Sequence, residues 1–226
     1  MLKSIKTSVL TAVLVGTAIM AHAQKNITEG TLNFGIEYVL TEEQQPMAAM
    51  LPAETKIKFN GTLSKFEMQQ GPATITVVSN VADMNSLVLI DVPVAQLQYA
   101  VKNTKEDYEK NNAMNPKFSD FKATGEKQTI GTYKTEKYTY KDDKGASYEL
   151  WATNDITLPA GLMGPEFKDV KGTPVKFTAF RNGVKSISTL KSVTDEKTGP
   201  LSLDVPSGYE VKTMEEIMQM QQGGGQ

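Results

Sequence analysis

Residues 124–156, TGEKQTIGTYKTEKYTYKDDKGASYELWATNDI, contain a charged turn at Lys141 to Gly145 between two segments of alternating ring-bearing and polar residues. Asp side chains in such a turn hydrogen-bond their own backbone, and Gly accepts the positive φ that a tight reversal needs. We therefore predict that the flanking segments pair as antiparallel strands. This pairing makes the chain a β protein.

The return strand carries a large ring on each side, because Tyr148 and Trp151 fall on opposite faces of an extended chain. Burial of a tryptophan removes a large apolar area from water and stabilises the fold. We therefore expect this strand near the middle of a sheet that is covered on both faces, with Trp151 as a core residue. Stacking of Trp151 on a ligand is the alternative.

The first 23 residues have the features of a secretory signal peptide. Lys3 and Lys6 precede an apolar run from Val9 to Met20, and Ala21-His22-Ala23 ends it with small residues. We predict cleavage after Ala23, export through a Sec-type route, and a periplasmic or secreted protein. The run is too short to span a bilayer. Without cysteine there is no lipid anchor and no disulfide.

Composition excludes several kinds of chemistry. Removal of the signal peptide also removes His22, the only histidine, and the sequence has no cysteine. The absence of histidine excludes His-dependent triads and histidine-bound haem, and the absence of cysteine excludes thiol nucleophiles. Cys/His zinc sites are excluded for both reasons. The remaining chain has 22 basic and 26 acidic residues, and Arg181 is its only arginine. Nucleic-acid recognition relies on clustered cations. We therefore expect a protein that is not an enzyme and that binds no cofactor, no metal ion and no nucleic acid.

Two Asn-Gly turns predict further hairpins, since this dipeptide suits the two-residue I′ turn. At Asn60-Gly61, pairing Phe59 with Thr62 places Ile57, Phe59, Phe66 and Met68 on one face. The second turn, Asn182-Gly183, pairs the strand containing Phe177 with the strand containing Leu190. Further strands are predicted at 31–41, 73–79, 87–92, 95–102 and 201–205.

Helices are predicted in three places and a long loop in a fourth. Thr104 is the N-cap of a helix that ends by Asn115, because Pro116 follows. One helical turn fits between Pro46 and Pro52, and residues 214–218 have helical spacing. Thr157 to Lys171 forms a Gly- and Pro-rich loop with apolar residues. We expect one β domain at 24–213, followed at 214–226 by a short helix and a flexible Gly-rich tail.

The GTLNFGIEY strand from Gly30, the TGEKQTIGTYKTEKY and YELWATNDI runs, and the closing LDVPSGYEV resemble an uncharacterised exported family of Bacteroidota. That family is similar to the half-barrel lipoprotein carriers LolA and LolB. The strands predicted from the residues number about nine to eleven, a count typical of a sandwich or a barrel. The resemblance implies that this mainly antiparallel sheet is curled into an unclosed half-barrel, with a few helices and loops across a hydrophobic concave face, and that there is no catalytic residue. The chain departs from LolB in lacking a lipidation cysteine and from LolA in its sparse helices, and the lid arginine of LolA has no counterpart in Arg181.

Methionine and leucine outside the strands suggest a binding function, because methionine adapts to varied apolar partners. We expect a non-enzymatic binding protein that holds an apolar or acyl-chain ligand, with lipid, lipopeptide or lipoprotein as partner. The alternative is an envelope protein that docks on a protein or on the outer membrane through the same segments. The candidate residues are Met47, Met50, Leu51, Leu162, Met163, Phe167, Met214, Ile217 and Met218. For any single residue, core packing is the competing explanation.

Overall fold

The computed structural model describes residues 24–113, 115–181 and 183–223. The predicted signal peptide and residues 224–226 of the tail lie outside the described residues. The strands are β1 Lys25–Asn26, β2 Glu29–Val39, β3 Glu54–Asn60, β4 Leu63–Gln70, β5 Ala73–Asn80, β6 Asn85–Val92, β7 Leu97–Asn103, β8 Phe118–Ile130, β9 Tyr133–Asp142, β10 Ser147–Thr153, β11 Ile156–Thr157, β12 Thr173–Arg181, β13 Val184–Asp195 and β14 Glu210–Val211. The helices are α1 Lys105–Asn111 and α2 Met214–Gly223, with 3₁₀ helices at Glu42–Met50, Pro93–Ala95 and Pro165–Phe167.

Twelve of the described strands form one sheet in the order β14-β7-β6-β5-β4-β3-β2-β13-β12-β10-β9-β8, and β1 pairs with β11 separately. All neighbours in the large sheet are antiparallel except β14 and β7, which are parallel. The two end strands, β14 and β8, do not pair with each other, so the sheet stays open. The predicted fold class, mainly β with an unclosed half-barrel, is confirmed.

The hairpins form where turn chemistry predicts them. β9 and β10 pair across the charged turn, with Tyr148 opposite Tyr140, and β12 pairs with β13 across the second turn. At the first Asn-Gly turn the predicted register is wrong by two residues, because Phe59 lies opposite Ser64 rather than Thr62. A shift of two residues preserves the faces. Phe66 therefore still lies beside Ile57.

The sheet curls strongly, as one contact across it shows. The Arg181 guanidinium on β12 lies 5.6 Å from the centroid of the Phe66 ring on β4. Three strands separate β12 from β4, so a flat sheet would hold them about 19 Å apart. The face that carries Phe66 and Arg181 is therefore concave, and we call it the inner face. The opposite, convex side is the outer face.

Two separate covers lie on the inner face. The loop after β11 inserts Leu162, Phe167 and Val170 into the larger core, where they pack with residues such as Phe34 and Phe177. At the other end of the sheet, α2 places Ile217 against Val88 and Val101. The predicted helix at 214–218 is thus confirmed, and the loop predicted from Thr157 to Lys171 completes the core.

The outer face is crossed by an extended segment, residues 196–209, which we call the outer strap. It begins beside β2, where the Thr31 hydroxyl donates to Glu196 at 2.8 Å, and it leads into β14, which pairs with β7. Leu201, Leu203 and Val205 are half-buried and the residues between them are exposed. The predicted strand at 201–205 is therefore wrong. This segment has the alternation of a strand but pairs with no described strand.

The opening hairpin also lies in a different place from the one predicted. β10 is third from the β8 edge of the sheet rather than central. Trp151 is half-buried and belongs to neither apolar cluster of the described residues. The core prediction for Trp151 is therefore wrong. The inner face of β10 is buried through Leu150 instead.

Near the β7 edge, α1 begins at the predicted cap. The Asp107 amide donates to the Thr104 hydroxyl at 3.3 Å, and the Thr104 amide donates to the Asp107 carboxylate at 2.8 Å. This reciprocal arrangement satisfies donors that the first turn leaves free. The helix ends at Asn111, before the predicted limit.

Candidate functional site

The structure distributes the nine candidate residues over three separate regions. Leu162, Phe167 and Ile217 are buried, with 9%, 5% and 6% of their surface exposed, and Met163 packs partly buried against the larger core. These four residues contribute to the two covers of the inner face. The other five line a cleft or lie on the surface.

The first region is a cleft at the open part of the inner face, which we call the inner cleft. Its volume is about 470 Å³, and its apolar walls come from Met50, Leu51, Phe66 and Met68. Phe66 and Met68 lie on the inner face because they pair with Val77 and Ile75. Ligand sites typically have volumes of about 300–1,000 Å³. The inner cleft is large enough for a small ligand or a segment of an apolar chain.

The end of the long 3₁₀ helix, Glu42–Met50, forms one wall of the inner cleft. None of its residues is buried, and Met50 is 79% exposed. At its start, Gln44 donates to the Gly183 carbonyl at 3.4 Å in the turn between β12 and β13. The helix therefore lies between this turn and the start of β3, beside the end of β4. An exposed methionine held in this position is available to a ligand.

A cation lies beside one of the residues that line the inner cleft. The Arg181 guanidinium is beside the Phe66 ring and forms no ion pair with any residue that the structure describes. Burial raises the pKa of the nearby Tyr38 hydroxyl, and Arg181 opposes that shift through its charge. Tyr38 donates to the Pro52 carbonyl at 3.2 Å. An anionic group bound against Phe66 would lie near this guanidinium.

The sequence places Phe66 and Met68 on one face of a hairpin without showing whether that face is open or filled, and it gives Arg181 no role. The signal that could have distinguished them from the core is the neighbouring Pro-flanked segment, which has no apolar periodicity of its own. Met47, at 37% exposure, lies in that segment, and Met214 and Met218 are exposed on α2 at 39% and 51%. The three methionine-bearing segments do not meet in one cavity.

A second cleft, of about 630 Å³, lies between α1 and the short 3₁₀ helix Pro165–Phe167, and Tyr108, Phe118, Glu166 and Phe180 line it. Desolvation raises the pKa of the Glu166 carboxyl, although much of the side chain's surface is exposed. No His, Cys, Asp or Glu group of three or more in the described chain is arranged to hold a metal ion.

Comparison of the sequence with family models gives no match, and comparison with curated proteins gives none either. One solved structure, of PNGF-II in space group C2, is similar over 85% of this chain and 32% of that chain, with 16% identity and a TM-score of 0.44. This chain thus spans about a third of that protein's length. A likeness this distant carries no information about function. Among the described helices, none has the length and apolar character needed to cross a bilayer.

Proposed function

We propose that the protein is an exported, non-enzymatic carrier or holder of an apolar chain, and that the inner cleft is its binding site. The observation that carries this proposal is the uncovered part of the inner face. The larger core and α2 bury the two ends of the sheet, whereas Phe66 and Met68 between them remain half-exposed and face open volume.

The chemistry of the walls favours an acyl chain over a rigid polar ligand. Two methionines, a leucine and a phenylalanine provide apolar, deformable contacts. Burial of each methylene group of a chain contributes about 0.8 kcal/mol. The unpaired Arg181 beside Phe66 suits the anionic head of an amphiphile, because a guanidinium binds carboxylate or phosphate with two parallel hydrogen bonds.

Displacement of a fluorescent fatty acid from the chain 24–226 tests this proposal. Met50→Glu places a negative charge at the cleft wall in a side chain that is already 79% exposed, so folding is unaffected. We expect affinity to fall about ten-fold or more, since the glutamate forces desolvation of its charge or loss of the apolar contact and also repels the fatty-acid carboxylate. Val94→Glu is the matched control, because Val94 is 82% exposed at the β6–β7 turn and does not line the cleft. Absence of saturable binding, or equal affinities in both variants and the unmodified chain, would refute the proposal.

Docking on an envelope protein or membrane is the second candidate, and the surface of α2 favours it. Four apolar side chains on α2 and just before it are exposed: Val211 at 59%, Met214 at 39%, Met218 at 51% and Met220 at 43%. Single exposed apolar side chains are common on protein surfaces, whereas a group of them can mark a docking site. Met218→Glu should then release the protein from the envelope fraction while fatty-acid binding remains. Unchanged fractionation of this variant would exclude docking through α2.

A further inference from the structure

Trp151 lies on the outer face in a second, unrelated site. It pairs directly with Lys137 of β9 and with Lys176 of β12, while its neighbour Leu150 is fully buried on the inner side. The indole is half-buried and borders a cleft of about 490 Å³. We call this volume the outer cleft. A tryptophan that the core does not use is left facing it.

The indole is held in place by a charged network. The Lys137 ammonium lies 5.8 Å from the ring centroid and is itself bound by Glu149 at 2.8 Å and Glu126 at 3.3 Å. The hydrogen bond that the Lys137 ammonium donates to Glu149 raises the pKa of Lys137, so the ammonium stays charged. A ring fixed before a ligand arrives loses little conformational freedom when the ligand binds.

Hydroxyl groups surround the indole. Thr139 and Ser147 line the outer cleft, and both are exposed. Neither hydroxyl appears in a hydrogen bond between side chains or from side chain to backbone within the described part of the chain. Each can donate one hydrogen bond and accept others. A ligand rich in hydroxyl groups would satisfy them, whereas a purely apolar ligand would cover them without partners.

The residues that line the outer cleft carry a net positive charge. Lys176 and Lys185 line it together with a single acid, Glu149, and neither lysine takes part in any of the ion pairs of the described residues. The Lys185 ammonium lies over the Tyr148 ring, 5.4 Å from its centroid. Two lysines without acidic partners favour a ligand that carries negative charge.

The sheet register sets the length of this ligand. Lys176 is the direct cross-strand neighbour of Trp151. Lys185 lies on β13, one strand beyond β12, and pairs with Phe180, four residues along the strand from Lys176. Two strand spacings and four residues along a strand separate the Cα atoms of Trp151 and Lys185 by roughly 16 Å, and the Lys185 side chain extends back toward Tyr148 of β10. A ligand of two or more ring-sized units is long enough to contact the indole and both lysines together.

We propose that the outer cleft binds an acidic oligosaccharide. The apolar face of a sugar ring stacks on Trp151 through its C–H groups, sugar hydroxyls exchange hydrogen bonds with Thr139 and Ser147, and acid groups on successive rings pair with Lys176 and Lys185. This site is independent of the inner cleft, because the two clefts share no lining residue. Either one can exist without the other.

The experiment uses the chain 24–226 and its own fluorescence, because Trp151 is the only tryptophan in the sequence. A short oligogalacturonide should produce a saturable change in indole emission, and binding should weaken as salt rises. A neutral oligosaccharide of equal length should bind about 25-fold more weakly, the product of about five-fold for each half-buried lysine paired with a ligand carboxylate.

Variants identify the residues responsible. Lys176→Ala and Lys185→Ala should each weaken oligogalacturonide binding about five-fold, and calorimetry should detect no binding to Trp151→Ala at the same concentrations. Lys58→Ala is the matched control, because Lys58 is an exposed lysine of β3 outside the cleft, and its affinity should equal that of the unmodified chain. The proposal is overturned if the oligogalacturonide leaves indole emission unchanged, if the neutral oligosaccharide binds equally well, or if an oligothymidylate or a polyglutamate of the same length matches the oligogalacturonide.

Discussion

Replacement of Ile217 by alanine should detach α2 from the sheet without unfolding the protein. Ile217 is 6% exposed and is the only buried residue between 214 and 220, and its apolar contacts are Val88 and Val101. Truncation of a buried isoleucine to alanine costs about 2–5 kcal/mol, and the low end applies at this partly open site. Because no other residue between 214 and 220 is buried, Ile217→Ala should reduce the free energy that holds α2 on the sheet by about 2–3 kcal/mol. This corresponds to a roughly 30- to 150-fold rise in the fraction of detached helix.

Hydrogen exchange followed by mass spectrometry measures this rise directly, because the amides of α2 exchange when the helix opens. Protection should fall by the stated factor between residues 214 and 223 and stay unchanged in β5 and β6. Met218→Ala is the control: Met218 is 51% exposed, so we expect less than a three-fold effect of about 0.5 kcal/mol. Unchanged protection of α2 in Ile217→Ala, or an equal loss across the whole sheet, would refute this account of how α2 is held.

Burial raises the pKa of Tyr140, which is 1% exposed, to about 12. Between about pH 10 and 12 the folded state therefore keeps a proton that the unfolded state loses, so the contribution of Tyr140 to the free energy of unfolding falls as pH rises, by up to about 2.7 kcal/mol. Tyr140→Phe should lose less stability at alkaline pH in urea titrations. Parallel plots of unfolding free energy against pH for the variant and the unmodified chain would contradict this. A Cβ at Gly30 would overlap the Thr194 carbonyl oxygen, so Gly30→Ala should lower the free energy of unfolding by about 1–3 kcal/mol, and an unchanged urea midpoint would contradict this. Desolvation opposes charge on Asp142, but backbone amides of the turn and the Tyr148 hydroxyl, at 2.9 Å, hold its pKa below the usual value. The stabilisation of the fold by the Asp142 carboxylate is present above the ordinary carboxyl pKa and is lost as pH falls through the lowered pKa. Asp142→Asn should therefore lower Tm at pH 7, and the difference in Tm between the variant and the unmodified chain should shrink in strong acid. A difference in Tm that does not change with pH would argue against this.

The parts of the fold that sequence predicts well are those set by neighbouring residues. The turn at Lys141 to Gly145, the cap at Thr104 and the spacing of Ile217 with its neighbouring methionines each depend on contacts within a few positions. All three are present in the structure. Turn and cap chemistry act locally, so their signals survive in the sequence alone.

What lies on each face of the sheet depends instead on distant segments. Trp151 was placed in the core because its ring is large, but the loop that completes the core inserts Leu162 and Phe167 on the other face. The segment 201–205 alternates like a strand and yet serves as a strap across the outer face. Period-2 alternation reports one buried side and does not identify the partner that buries it.

The inner cleft could not be predicted for the same reason. Its wall is positioned by the contact from Gln44 to Gly183, which are 139 residues apart, and its cation reaches Phe66 only because the sheet curls. The face on which Phe66 and Met68 lie was predictable, whereas the open space above them was not. Long-range closure determines that space.

Comparison of a fatty acid with the corresponding uncharged alcohol, on the chain 24–226 and on Arg181→Met, tests the proposed function most directly. The apolar chain should bind the inner cleft in both forms, and Arg181 should favour the carboxylate about five-fold, as expected for one exposed ion pair. In Arg181→Met the two ligands should bind equally. Failure of either ligand to bind saturably to the unmodified chain, or a carboxylate preference that survives Arg181→Met, would contradict the account.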